Sequence, residues 1–430
     1  MKIAVIGTGI AGNVAAYRLA QEHDITVYEA DGRIGGHTNT IEVEYDGCRY
    51  AIDTGFIVFN GRTYPNFVRL LEELGVAWQD SNMSFSVRDE SGGLEYNGSS
   101  LNSLFAQRRN LFRPEFYGMV RDILRFNREA PAVLEAGAGG PTLDEFLCVG
   151  GYGRAFVEQF IIPMGAAIWS AKPEVMRSMP AHFFVRFFLN HGMLSIKDRP
   201  VWRVICGGSA RYVERLVAGH RERILLNTPV EQVRRLPGYV EIRARGRAPA
   251  QFDHVFFACH SDQALRLLAD PTPLEREVLG AIRYQRNEAI LHTDASLMPR
   301  RRRAWAAWNY HLLGRSTGRV AVTYNMNILQ GLGAPVPFLV TLNHHSAIDP
   351  SRIIYRVDYA HPVFTPAAVE AQRKQHRING LLVNGAGRSW YCGAYWRYGF
   401  HEDGVVSALN ALEHFNKRID HEERHLRRVS

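Results

Sequence analysis

The residues best suited to chemistry in this chain are glycines and acids near its amino terminus. Gly7, Gly9 and Gly12 carry the spacing of a turn that brings backbone against a pyrophosphate. Glu29, 22 residues after Gly7, is an acid placed to accept hydrogen bonds from ribose hydroxyls. Such a turn works only if it is held correctly. Lys2–Ile6 has the apolar, β-branched composition of a buried parallel strand, Val14–Ala20 continues as a helix, and Ile25–Tyr28 reads as a second strand. Gly7 allows the tight turn, Gly9 the close approach of backbone, and Gly12 the packing of helix on strand. Ile10 and Ala11 lie in the first helical turn, whose free N–H groups and partial positive charge face the phosphates. The competing reading is a glycine turn in an ordinary α/β domain. A signal peptide is not expected, because three glycines break the apolar stretch and it runs directly into the second strand.

Composition limits the alternatives. At 430 residues the chain exceeds one typical domain, and 46% hydrophobic with 22% charged residues is ordinary globular usage. No apolar run approaches the roughly 18 to 20 residues that span a bilayer. The five cysteines lack CxxC spacing, which argues against zinc and against a disulfide framework and predicts a reducing cytoplasm. His344-His345 lacks a third ligand at plausible spacing, so no metal is expected. The formal charge of +8, almost all from arginine, fits anionic partners or the codon usage of a GC-rich genome. Nucleic acid is not expected, since no base-reading motif accompanies the charge.

The next stretch, Ala30-Asp31-Gly32-Arg33-Ile34-Gly35-Gly36-His37-Thr38, resembles the second half of the FAD signature in the flavin-containing amine oxidase superfamily. That superfamily also holds protoporphyrinogen oxidases and carotenoid desaturases. The resemblance implies an α/β protein: a discontinuous FAD-binding Rossmann-type domain (1–76, 201–270 and 380–418) with an inserted α+β substrate domain (77–200 and 271–379) containing an antiparallel sheet, then a tail (419–430). It places Ala30, Arg33, Gly35, Gly36, His37 and Thr38 along the pyrophosphate and ribityl chain, and Gly55 and Phe56 beside the flavin. Val230 is expected to hold the adenine through its backbone. Gly380–Gly387 is expected as the last buried strand with Gly387 at its exit. Gly399–Ala408 resembles the closing signature, in which Glu402, Asp403 and Val405 begin a helix aimed at the flavin ring.

Two departures from the family pattern bear on the reaction. His401 stands where amine oxidases of the superfamily frame the substrate nitrogen with an aromatic ring, offering either an acid/base or a structural hydrogen bond. The cysteine that some members link to the flavin would fall near Val363, where none exists, so FAD is expected to be non-covalent. The chain is similar to bacterial flavoproteins resembling the flavin domain fused to plant cyclopropane fatty acid synthases. That similarity implies an FAD-dependent desaturase of methylated fatty acyl chains. An amine oxidase and a flavin-bearing partner of a lipid methyltransferase are the other readings.

The inserted segments would shelter a hydrophobic or lipid acyl substrate. Tyr152–Leu194 is the most aromatic part of the chain and reads either as a cavity wall or as plain helical core. Leu101–Arg128 mixes apolar side chains with six arginines, as a solvated surface helix or as a segment lying on an anionic membrane. Together these readings place the protein in the cytoplasm, with peripheral contact at the inner membrane face as the extension of the second one.

Overall fold

The computed structural model describes residues 1–430 except 91, 136–139, 196, 198, 314–320, 385–386 and 430, with backbone alone for 422–429. The strand Lys2–Ile6, the helix Ile10–Leu19 and the strand Asp24–Tyr28 form where the pattern predicts. They enter a five-stranded parallel sheet ordered Ile224–Leu225, Asp24–Tyr28, Lys2–Ile6, His254–Phe257, Ser389–Tyr391. Side chains alternate between its faces, as period two requires. Ile3, Val5, Ile25, Phe256 and Trp390 join one buried cluster; Ala4, Ile6, Val255, Phe257 and Tyr391 join another. Burial on both faces explains the unbroken apolar runs of these strands.

The expected last strand is displaced. Ser389–Tyr391 pairs with His254–Phe257, whereas Leu381–Asn384 makes no more than a single bridge at Val383 and Leu382 is exposed; Gly385 and Ala386 lie outside the described residues. Trp390 and Tyr391 fill both faces with more ring area than Leu381–Val383 could, which favours the later register.

The two inserted segments share one seven-stranded sheet. Its order is Ile353–Val363, Arg283–His292, Leu339–Leu342, Ala321–Asn325, Trp308–Leu312, Phe85–Asp89, Glu95–Asn97. All pairs are antiparallel except Trp308–Leu312 with Phe85–Asp89. The apolar-alternating stretch 304–309 enters the sheet only from its end, as the strand Trp308–Leu312. The eleven-residue Ile353–Val363, which the sequence reading did not single out, is the longest in the sheet. Val322, Tyr324, Val340 and Leu342 face the main core. The opposite face carries the buried chain His292–Thr341–Thr323–His311, with links of 2.7, 2.8 and 2.8 Å. Trp202–Ile205 pairs with Trp78–Ser81 and Phe59–Asn60, so a small antiparallel sheet straddles the expected boundary at residue 77.

The aromatic stretch folds into Ile162–Trp169, Pro173–Ser178 and Ala181–Asn190. A π turn over Val157–Ile161 precedes Pro163, which has no N–H to donate. The predicted amphipathic segment breaks into Leu101–Leu104, a 3₁₀ turn Arg108–Phe112 and the helix Pro114–Glu129.

Candidate functional site

The carboxyl ends of the parallel strands converge on one edge. Gly7 follows the first strand with φ of 103°, and a Cβ there would lie 3.0 Å from the Ala258 carbonyl oxygen. Gly12 packs still closer: its Cβ would sit 2.0 Å from the Gly7 oxygen. Gly9 differs, because a Cβ there would meet nothing within 4 Å. It caps the helix Ile10–Leu19 without a side-chain bond, and that helix has no acid in its first turn. An open glycine at an uncapped helix N-terminus is the local geometry that accepts a phosphate.

Glu29 ends the second strand. The Thr8 N–H and hydroxyl both donate to its Oε2, at 2.8 and 2.5 Å, and the Asp31 N–H donates to Oε1 at 2.9 Å. Thr8 is a site residue the sequence reading missed. Ala30 is exposed beyond the acid. Arg33 donates to the Thr38 carbonyl at 3.1 Å, which leaves its charge uncompensated by that partner. Gly35 and Gly36 have φ of 127° and 58°, and a Cβ on Gly36 would lie 3.0 Å from Gly9 Cα. The second glycine pair is therefore pressed against the first. Thr228 N–H donates to the Glu29 carbonyl at 2.8 Å, which brings Val230, two residues on, beside the same edge.

Behind this turn lies a cluster the spacing did not foretell. His37 stacks on Tyr359 with centroids 4.8 Å apart and meets His361 edge-on at 5.2 Å. His361 Nδ1 lies 2.8 Å from Asn287 Nδ2. Burial holds His37 well below the ordinary histidine range and His361 at about 4, so both rings are neutral. His37 Nε2 is buried without a protein partner. Phe56 N–H donates to the His37 carbonyl at 2.8 Å, and a Cβ on Gly55 would lie 2.1 Å from that same oxygen. This close approach explains the glycine at 55.

The closing helix, His401–Val429, brings the far end of the chain to the same place. A Cβ on Gly404 would lie 2.5 Å from Ile10 Cγ2, so two helix N-termini abut. His401 stacks on Phe56 at 3.5 Å, with Nε2 3.0 Å from both the Thr38 and Tyr212 hydroxyls. Burial lowers its pKa to about 3. Glu402 accepts from Asn66 Nδ2 at 2.6 Å and from the Asn66 and Phe67 N–H groups at 3.2 and 2.9 Å. It thus caps the helix Pro65–Glu73, and its carboxylate is committed there rather than to a cofactor. Asp403 accepts from the Tyr398 and Phe400 N–H groups at 3.1 and 3.0 Å, and burial raises its pKa to about 6. Val405 is buried in the core with Ile10 and Ala11.

Gly387 is corrected by the structure. It precedes the strand Ser389–Tyr391 and packs on Gly380, at the amino end of the sheet, away from the converging edge. The glycine that leaves this strand at the correct edge is Gly393, whose N–H donates to Ser407 Oγ at 3.0 Å. An open Gly9, two abutting helix N-termini, an arginine on a neutral oxygen and an orphaned His37 nitrogen together fit a dinucleotide cofactor.

Beyond Phe400 the rings pack into an aromatic cluster that is part of the main core. Phe400 stacks on Phe187 at 5.1 Å, Tyr398 lies 4.7 Å from Phe183, and Trp169 lies 4.7 Å from Phe187. His191 stacks on Phe187 at 3.8 Å, with Nδ1 2.9 Å from the Phe187 carbonyl oxygen, and burial lowers its pKa to about 4.

Comparison with known proteins agrees with this architecture. Residues 10–294 match the sequence profile of the flavin containing amine oxidoreductases. A 4,4'-diapophytoene desaturase of Staphylococcus aureus is 33% identical over 81 residues, a match spanning 16% of each chain. Cyclohexylamine oxidase from Brevibacterium oxydans superposes with a TM-score of 0.67 at 15% identity, covering 96% of this chain and 99% of that one. A CLA-producing fatty acid isomerase from P. acnes gives 0.68 at 17% identity, covering 96% and 98%.

Proposed function

The chain belongs to the flavin-containing amine oxidoreductase family and is an FAD-dependent oxidoreductase, and from that premise we propose that it desaturates an uncharged apolar reactant, a modified (methylated) fatty acyl chain of a lipid. The carrying observation is the fate of three buried carboxylates, one of which, Asp403, is bonded to the aromatic cluster. Asp53 accepts from Thr40 and Ser209, Glu402 serves the Asn66–Phe67 turn, and Asp403 serves Tyr398 and Phe400. Each already accepts hydrogen bonds from the protein, which disfavours its use as the counter-ion of a substrate ammonium. Wall residues Trp169, Phe183, Phe187, Tyr398 and Phe400 suit a hydrocarbon instead. The likeness to a fatty acid isomerase and the local match to a diapophytoene desaturase support the same class.

Bound FAD supplies the hydride acceptor. The chain holds a C–H bond in place and excludes water with its aromatic wall. The second hydrogen leaves as a proton from the adjacent carbon. His191 is the imidazole packed within the wall; Nδ1–H donates to the Phe187 carbonyl, which leaves Nε2 as the lone pair. A weak base suffices, because loss of hydride makes the neighbouring C–H acidic. His401 is a positioning residue in this scheme: it holds Phe56, Thr38 and Tyr212 together.

Anaerobic mixing with candidate reactants tests the proposal. Bleaching of the flavin by methyl-branched phospholipid, with a new double bond seen by mass spectrometry, is expected. Bleaching by primary amines alone would establish the amine oxidase reading, which the likeness to cyclohexylamine oxidase supports. No bleaching, with tight binding to a lipid methyltransferase, would make the protein that enzyme's flavin-bearing partner.

A further inference from the structure

Exposed apolar side chains are not spread evenly over this molecule. Of twelve exposed large hydrophobics among the described residues, five fall between Leu101 and Leu124: Leu101, Leu111, Phe112, Tyr117 and Leu124. Phe112 is 86% exposed and Leu101 77%. Lone exposed apolar residues need no explanation, but a cluster on one short stretch does.

The cluster is built, not frayed. Phe105 packs on Phe116 at 5.5 Å, and Phe116 on Tyr96 at 5.8 Å, which anchors the stretch to the core. The Tyr117 hydroxyl donates to the Leu111 carbonyl at 3.1 Å. Arg108 donates to the Phe105 carbonyl and to Asn102 Oδ1, at 3.0 and 2.7 Å, and Arg109 donates to the Gly93 carbonyl. These acceptors are neutral, so both guanidinium charges remain uncompensated by them. Arg121 and Arg128 differ, since each lies beside a carboxylate, Asp122 and Glu129. Residues 101–128 hold six arginines against two acids, Glu115 and Asp122.

We infer that the 3₁₀ turn Arg108–Phe112, with Leu101 and Tyr117 beside it, is a docking surface for a bilayer bearing anionic phospholipid. The order Arg108-Arg109, Leu111-Phe112, Arg113 interleaves cations with apolar tips, which matches a phosphate layer lying over acyl chains. A protein partner would favour a continuous apolar patch with charge at its rim. No helix among the described residues is long and apolar enough to cross a membrane, so contact by this surface is peripheral. The inference holds whichever reactant meets the flavin.

The test is sedimentation of the flavin-loaded protein with vesicles of phosphatidylcholine alone or mixed with phosphatidylglycerol. Binding to the mixed vesicles only is expected. Phe112→Ser should weaken it about tenfold or more, from the apolar area withdrawn. The double substitution Arg108→Gln, Arg109→Gln should weaken it about fivefold per charge. Val149→Ser removes a 90% exposed side chain outside the cluster and should change nothing. Flavin absorbance and melting temperature report that each variant is folded. Failure to bind mixed vesicles, undiminished binding by Phe112→Ser, or equal loss in Val149→Ser would each overturn the inference.

Discussion

Replacing His401 by phenylalanine separates the two roles open to that residue. The ring of the variant keeps the stack on Phe56, which has centroids 3.5 Å apart and planes within 14°. The two hydrogen bonds of Nε2, each 3.0 Å, are lost. Thr38 and Tyr212 keep each other at 2.6 Å, so neither hydroxyl is orphaned. The expected cost at pH 7.5 is about 1–2 kcal/mol. Acid changes the balance. Burial depresses the folded pKa from 6.5 to about 3, so the native state binds a proton less readily than the unfolded chain. Stability present above pH 6.5 is therefore lost as the pH falls towards 3. At pH 5 the loss from this imidazole alone is about 2 kcal/mol, at ~1.4 kcal/mol per pH unit. The variant escapes it and should match or exceed the wild type at pH 5. Urea denaturation of the flavin-loaded protein at both pH values measures the difference. An unchanged deficit at pH 5 would refute the buried neutral imidazole. Stopped-flow flavin reduction should fall no more than severalfold, whereas loss of an acid/base would cost about 10²–10⁴.

Other consequences are equally direct. Gly9→Ala should fold with the wild-type melting temperature yet retain little flavin, because its methyl group meets no protein atom and enters the phosphate approach; Gly12→Ala should lose stability and flavin together, since its methyl group overlaps the Gly7 oxygen. The ratio of flavin to protein absorbance, read beside the melting curve, distinguishes them. Glu275→Gln should destabilise by about 1.5–3 kcal/mol in denaturant, because Arg235, 2% exposed and bonded to Glu275 at 2.5 and 2.9 Å, then keeps only the Asp270 carboxylate, at 3.2 Å, as its charged partner. His191→Phe preserves the aromatic wall and should slow flavin reduction by about 10²–10⁴ while flavin content stays constant; an unchanged rate would remove His191 from the reaction.

The amino-terminal unit was legible because its determinants are local. Strand, glycine turn, helix and acid lie within 28 residues, from Lys2 to Glu29, and each is specified by neighbours in the chain. The hairpin Thr40–Tyr45 and Cys48–Asp53 is specified just as locally, with Asp46 and Gly47 at φ of 51° and 72° forming its turn. The last strand was misplaced because Leu381–Val383 and Ser389–Tyr391 are both short and apolar. Local pattern ranks them poorly, and selection comes from filling two faces of a sheet whose other strands lie far away in sequence.

The sequence by itself determined the cofactor class, the strand–turn–helix that receives it, and the aromatic character of the inserted segments. Only the tertiary structure decided which polar groups are spare. Glu402 looks like a cofactor ligand until Asn66 and Phe67, more than 330 residues away, claim both its oxygens. His401 shows its structural hydrogen bonds only when Thr38 and Tyr212, 363 and 189 residues away, meet its Nε2. His37, His361, Tyr359 and Asn287 meet only once the Ile353–Val363 and Arg283–His292 strands pair. The physical reason is common to all three. A side chain's chemistry depends on its solvation and partners, and burial assigns those through contacts that no stretch of neighbouring residues encodes.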